Sequence, residues 1–227
     1  AYAKSLGMTV IITDHHELQE EIPPADVVVN PHQKDCPYPY KNLCGAGVAW
    51  KLVSALWEQL GVPEQELYED LLLFAGFATV GDVMNLTGEN RILVKEALKL
   101  LKTTSHPGIS ALIEVNEISR ETISAFHIGF VLGPCINASG RLDTAKRALE
   151  LLKTTDYEKA LVNAAELKAL NDERKSMTDD GVQQALDQIE NSDMKGDRVL
   201  VIYLPDCHES LAGIIAGRIR ERYYRPV

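Results

Sequence analysis

Val10-Ile11-Ile12-Thr13-Asp14-His15-His16 is the stretch that orients the fold. An apolar, β-branched run ends abruptly in one acid and two imidazoles. A buried strand should end where a polar tip can reach solvent or a metal. In open α/β sheets, ligands bind outside the carboxyl ends of the strands. Imidazole and carboxylate together suit Mn²⁺ or Zn²⁺ better than Ca²⁺. The alternative is a polar loop after a core strand.

The surrounding chain sets the class. Its 227 residues leave room for one large core plus part of another domain. Hydrophobic residues make up 45% and charged residues 25%, which is ordinary for a globular protein. The longest apolar stretch, Leu71 to Val80, is too short to span a bilayer. No basic-then-apolar segment opens the given sequence, so no secretory signal is expected in it. Cys36, Cys44, Cys135 and Cys207 form no CxxC pair and suit reduced thiols in a cytoplasmic protein. A net charge of −10 argues against a generally basic nucleic-acid binder, although a phosphate-binding groove can be basic locally.

Residues 9–13 and 26–29 read as buried parallel strands, with an acidic loop between them and a Pro- and Tyr-containing loop over Asn30 to Leu43. Gly45 to Leu60 reads as a helix stopped by Gly61. Pro63 opens the next segment, with Glu64, Glu66, Glu69 and Asp70 placed for a helix dipole. That segment runs into the all-round apolar Leu71-Leu72-Leu73-Phe74-Ala75. Shorter helices are expected at about 89–102, 108–116, 121–132 and 143–153. Thr155-Asp156-Tyr157-Glu158 fits a capping box for a charged helix to about Asn191, roughly 50 Å long at 1.5 Å per residue. Its narrow stripe of Leu161, Ala164, Leu167 and Leu170 suits a bridge between domains, and Gly181 is a candidate hinge. Asp197 to Tyr203 reads as a strand and Ser210 to Tyr223 as a helix. Ala1 to Gly7 reads as the end of a helix, and Arg225-Pro226-Val227 as the start of an extended segment. The chain is therefore expected to be an internal piece of a longer protein.

Three further stretches could carry chemistry. Asp82, in Gly81-Asp82-Val83, is either a helix cap or a second metal ligand from a separate element. Gly133-Pro134-Cys135-Ile136-Asn137-Ala138-Ser139-Gly140-Arg141-Leu142 reads as a turn whose small residues allow close backbone approach, with Arg141 either a phosphate fork or a surface residue. His208-Glu209-Ser210 opens a helix bearing Arg218, Arg220 and Arg222, and Arg225 follows. This basic cluster is either a solvated face or a phosphate-contacting one.

Taken together, Thr13-Asp14-His15-His16, Asn30-Pro31-His32-Gln33 with Tyr38-Pro39, Ala78-Thr79-Val80-Gly81-Asp82-Val83, the 133–142 stretch, and His208-Glu209 through Arg225-Pro226-Val227 resemble the bacterial RecJ family of the DHH phosphoesterase superfamily. The stretches occur in the family's order and span almost the whole chain. The resemblance implies an α/β fold. A parallel sheet flanked by helices would form a DHH domain over 1–154, a long connecting helix would cover 155–192, and a second α/β domain, DHHA1, would begin at 193–227. Two upstream metal-binding motifs of the family, one of them Asp-x-Asp, are not in this sequence. Ser210 stands where the family usually has Gly, Cys135 where Arg is frequent, and Gly81 where Ala is frequent.

The activity the resemblance implies is 5′→3′ exonucleolytic hydrolysis of single-stranded DNA in repair and recombination, using two Mn²⁺ or Mg²⁺ ions, by a cytoplasmic enzyme. It implies His15 and Asp82 as metal ligands, His16 at the scissile phosphate and Asp14 orienting an imidazole. Asn137 and Arg141 would bind the DNA backbone, and His208 would contribute from the second domain. Single-strand-binding protein and a RecQ-type helicase are the partners it suggests, with no membrane. Residues 1–227 alone are expected to be inactive. Two alternatives remain at this point: a DHH phosphodiesterase acting on short oligonucleotides or cyclic dinucleotides, and a non-catalytic DHH-like module that binds DNA or proteins.

Overall fold

The computed structural model describes residues 1–61 and 68–227; the acidic Glu64 and Glu66 lie outside the described residues. The chain forms two compact units, Ala1–Gly133 and Pro134–Val227.

The first unit opens with a short helix α1, Tyr2–Ser5, followed by Gly7 at φ +75°. Strands β1 (Ile11–Thr13) and β2 (Val27–Val29) pair in parallel, with Ile12 opposite Val28. The strands are not buried on both faces as their composition suggests. Ile11 is 61% and Val27 49% exposed, because this two-stranded ladder has one face that no described residue covers. Helix α2 spans Gly45–Leu60 and stops at Gly61, whose φ of +64° is easy only for glycine.

Helices α3 (Tyr68–Gly81) and α4 (Gly88–Thr103) follow. Leu72, Leu73, Ala75, Gly76, Phe77 and Thr79 are all buried, so α3 is enclosed on several sides, as its unbroken apolar run requires. Leu43, Val48, Leu72 and Leu93 form one core cluster of this unit, flanked by Val29, Tyr38, Trp50 and Tyr68. Glu89 on α4 ties the 30–43 loop to this core. It accepts from the Tyr38 hydroxyl at 2.7 Å and pairs with Lys51 Nζ at 2.8 Å. Helix α5 covers Pro107–Val115, with proline at its first position.

The segment expected as a helix over 121–132 begins only at Ala125. Helix α6 (Ala125–His127) runs into a π-helical turn over Ile128–Leu132 and then into α7, Gly133–Leu142. The 133–142 stretch is therefore helix rather than the turn its glycines suggest. Cys135, Ala138 and Ser139 are all fully buried, and their spacing of three and one gives α7 a packed face of small residues.

In the second unit, α8 (Lys146–Lys153) precedes α9, Tyr157–Glu190. The N-cap of α9 is Asp156, whose carboxylate accepts from the N–H groups of Glu158 and Lys159; the cap is one residue later than the Thr155 box predicts. Gly181 does not break α9. It is buried, and a Cβ there would overlap Ile215 Cδ1, so the glycine serves close packing rather than bending. A 3₁₀ turn at Asp193–Gly196 follows. The 197–203 segment forms no strand among the described residues. Its alternation survives, with Leu200 buried and Val199, Val201 and Tyr203 exposed, and the Leu200 N–H donates to Pro226 O at 2.9 Å. A ladder needs a run of backbone hydrogen bonds to a partner strand, and this single bond to the chain's last residues does not make one. Helix α10, Glu209–Tyr223, packs Leu211, Ile215 and Ile219 on Ala185, Leu186 and Ile189 of α9. All four cysteines are free thiols, and no helix among the described residues is long and apolar enough to cross a membrane.

The α3–α4 packing depends on a missing side chain. A Cβ on Gly76 would overlap Ala97 Cβ and reach within 2.8 Å of the Leu93 carbonyl oxygen, whereas one on Gly81 would meet nothing within 4 Å. Gly76→Ala is expected to cost about 1–3 kcal/mol of stability in urea unfolding, and Gly81→Ala close to nothing.

Candidate metal and phosphate-binding residues

The sequence around Asp14 folds into a self-made clamp. The Asp14 N–H donates to Val29 O at 3.0 Å, continuing the β1–β2 ladder by one residue. Its Oδ1 then accepts from the His15 N–H at 2.7 Å, the His16 N–H at 3.3 Å and the His16 ring at Nδ1, 2.7 Å away. The hydrogen bond from His16 holds the Asp14 carboxyl below its ordinary range; burial opposes this, and the two backbone N–H groups reinforce it. Asp14 thus orients an imidazole, and that imidazole is His16. With Nδ1 committed to Asp14, Nε2 is the nitrogen left for a ligand. The His16 side chain is 77% exposed.

His15 turns the other way. Its side chain is largely buried, its ring centroid lies 4.3 Å from that of His16, and its Cδ2 lies where a Cβ on Gly45 would make contact at 3.4 Å. His15 Nε2 stands 3.5 Å from Asp82 Oδ2. Two ligands each about 2.1 Å from one ion, at tetrahedral to octahedral angles, stand roughly 3.0–3.4 Å apart. The pair therefore fits neighbouring positions around a single divalent cation. Among the described residues no group of three or more His, Cys, Asp or Glu gathers for a metal.

Asp82 occupies a costly place. It follows α3, its N–H donates to Ala78 O at 2.8 Å, and the next two residues close a Schellman turn: Val83 N–H to Val80 O at 3.1 Å and Met84 N–H to Thr79 O at 3.1 Å. A carboxylate there faces the negative end of the helix dipole, which a bound cation would offset. Asp82 is consequently no N-cap. Val83 takes the left-handed position at φ +56°, where a β-branched residue is strained and glycine is usual.

Residues that sequence reasoning passed over hold these groups in place. Cys44 caps α2 by accepting from the Gly47 N–H, and its Sγ lies 3.4 Å from Thr79 Oγ1 in the middle of the core. The Thr79 hydroxyl donates to Ala75 O at 2.7 Å, which leaves the Cys44 thiol as donor to Thr79. Asn30, 2% exposed, donates to His16 O at 2.9 Å and accepts from the His32 N–H at 2.9 Å. Asn30 and Thr79 lie in stretches that carry the family resemblance, but no positioning role is read for either from the sequence.

The second unit holds the remaining candidates. Arg141, in the last turn of α7, donates from Nη1 to Ser210 O at 3.0 Å. His208 caps α10, its Nδ1 2.7 Å from Ser210 Oγ. The structure therefore brings Arg141 and His208 to the same first turn of α10. Asn137 is exposed on α7. The four tail arginines do not act as one face. Arg218 pairs with Asp179, and Arg225 donates to Lys195 O and Asp197 O, bracing the tail.

Val83→Gly is expected to raise stability by about 1 kcal/mol, because it releases the left-handed strain beside Asp82; thermal unfolding measures it. An unchanged or lowered midpoint would show that Val83 is not strained.

The family model described as DHH family, N-terminal domain, matches residues 1–77. The single-stranded-DNA-specific exonuclease RecJ of Salmonella typhimurium is 37% identical over the whole chain, which covers 41% of that relative, and that of Bacillus subtilis is 37% identical over 99% of the chain, which covers 28% of that relative. The chain thus spans about two-fifths or less of the length of these relatives. Among solved structures, Thermus thermophilus RecJ in complex with Mn²⁺ superposes on 98% of the chain with a TM-score of 0.84 and 33% identity, using 32% of that protein. An exonuclease RecJ bound to manganese superposes on 99% with a TM-score of 0.84 and 34% identity, using 55% of that protein. Residues 1–77 thus match the DHH N-terminal domain, and the whole chain is similar in sequence and in fold to part of RecJ exonucleases.

Proposed function

We propose that this chain carries part of the active site of a metal-dependent 5′→3′ exonuclease that hydrolyses phosphodiester bonds of single-stranded DNA in repair and recombination. One observation carries the reading: His15 Nε2 and Asp82 Oδ2, from elements far apart in sequence, stand 3.5 Å apart beside an exposed His16 that Asp14 orients. Residues 1–154 would be the DHH domain, 155–192 the connecting helix and 193–227 the start of DHHA1. The enzyme would work in the cytoplasm. Single-strand-binding protein and a RecQ-type helicase as partners rest on family resemblance.

His15 and Asp82 would hold one of two Mn²⁺ or Mg²⁺ ions. Bound there, such ions lower the pKa of a water and neutralise charge on the phosphate. The protein's own contributions are positional. Asp14 fixes the His16 ring so that Nε2 can meet a phosphate oxygen without searching rotamers. Arg141 and Asn137 on α7, and His208 at the start of α10, supply donors for the strand. A non-catalytic module would have no use for an imidazole and a carboxylate held at ligand spacing against the helix dipole.

The assay uses the protein at the length of its relatives, with 5′-phosphorylated single-stranded DNA and Mn²⁺. His15→Ala and Asp82→Ala are each expected to lower kcat/KM by about 10³-fold, roughly 4 kcal/mol, with unchanged unfolding midpoints. EDTA should abolish turnover. His16→Ala should lower kcat while Mn²⁺ affinity by calorimetry holds. Near wild-type turnover in His15→Ala or Asp82→Ala would overturn the reading, as would equal cleavage of circular single strands.

A further inference from the structure

The interior of the second unit contains an arginine to which the proposed mechanism gives no task. Arg174 lies on α9, half-buried, and its Nε donates to Asn171 Oδ1 at 3.1 Å. Asn171 is itself buried, and its amide donates to Cys135 Sγ on α7 at 3.6 Å. A rigid chain of contacts therefore sets the guanidinium against the helix that carries Arg141. Among the described residues no carboxylate pairs directly with Arg174, and no partner appears for its two terminal nitrogens.

Its neighbours worsen its position. Burial first, and then the positive charges of Arg141 and Arg218, hold the Arg174 guanidinium below its ordinary value; Asp179 counters weakly, as the least of the causes. Asp179 is already paired with Arg218. Of these three guanidiniums only that of Arg218 has a carboxylate partner among the described residues. Arg141 spends one nitrogen on the Ser210 carbonyl, which leaves the rest of its fork available. Arginine cannot relieve such repulsion by losing its proton. Like charges are held together this way where an anion is to be bound, and a phosphate matches the planar fork.

We propose that Arg174 is a phosphate-binding residue, and that its guanidinium together with that of Arg141 grips one backbone phosphate of the single strand. This rests on the reading of the chain as a single-strand nuclease. Arg218, neutralised by Asp179, borders the grip without joining it. Asn171 is then a positioning residue that aims the Arg174 fork.

The test measures binding of an oligothymidylate about a dozen residues long to the relative-length protein in EDTA, across a range of salt concentrations. Arg174→Gln is expected to weaken binding about tenfold and to reduce the steepness of log K against log salt by about 0.7, the loss of one phosphate contact. Arg141→Gln should lose the same slope, and the double variant no more than either alone, because both grip one phosphate. Arg174→Lys should recover the slope but only part of the affinity. Asn171→Asp keeps Arg174 and places a carboxylate on it, so it too should weaken binding. It covers the case in which Arg174→Gln fails to fold. Inorganic phosphate at matched concentration should compete far less than unlabelled strand; equal competition would overturn assignment to a strand. Wild-type slope and affinity in folded Arg174→Gln, or in Asn171→Asp, would overturn the proposal while leaving the nuclease reading intact. A wild-type protein that neither binds nor cleaves single strands would overturn both.

Discussion

The contact on which the first unit's chemistry depends is a weak one: the Cys44 thiol against the Thr79 hydroxyl, 3.4 Å apart and fully buried. Cys44 is the N-cap of α2, and Thr79 stands one turn before the end of α3. Joining them fixes the start of one helix beside the end of another. His15, at the tip of β1, rests its ring on Gly45 at the first turn of α2. Asp82 hangs from the end of α3. The two donors approach to 3.5 Å because the three element ends that carry them converge. A thiol–hydroxyl pair contributes little energy by itself, but inside a dry core an unmade partner would cost more than the bond is worth.

Around that junction the chain accepts local costs. A carboxylate closes α3 where the dipole is unfavourable, and a valine takes a left-handed conformation next to it. A π-helical turn at Ile128–Leu132 brings the Ile128 carbonyl so near Gly133 that a Cβ there would meet it at 2.7 Å, with Gly81 Cα on the same side. The strained Val83 and the irregular helix thus both lie near the end of α3. Such clustering is the usual mark of backbone shaped for chemistry rather than for stability. In the second unit, burial and the positive charges of Arg141 and Arg218 hold the Arg174 guanidinium below its ordinary value, while Asp179 pairs with Arg218.

The amino-acid pattern alone determined a good deal. It located the parallel pair β1–β2, the helix ended by Gly61, the enclosed α3, the long α9 and the helix after His208, because periodicity, capping and stop residues are local properties. The Asp-His-His tip and the later Asp82 stood out as abrupt polar ends of apolar runs. Where local signals competed, the pattern misled. The glycines of 133–142 read as a turn, yet Cys135, Ala138 and Ser139 pack a helix face. Gly181 read as a hinge, yet its bareness makes room for Ile215. The alternation of 197–203 read as a strand, yet among the described residues it forms no ladder.

Only the tertiary structure decided which groups meet. Nothing in the spacing of residues 15 and 82 shows that an imidazole and a carboxylate stand 3.5 Å apart, since that follows from how three element ends pack. Nothing in a charged stripe on α9 separates Arg174 from its solvated neighbours, since its isolation comes from burial beside Asn171 and from guanidiniums on other helices. Secondary structure follows from interactions a few residues apart, which a sequence displays directly. A site follows from long-range packing, in which each side chain's role is set by partners that the sequence does not place beside it.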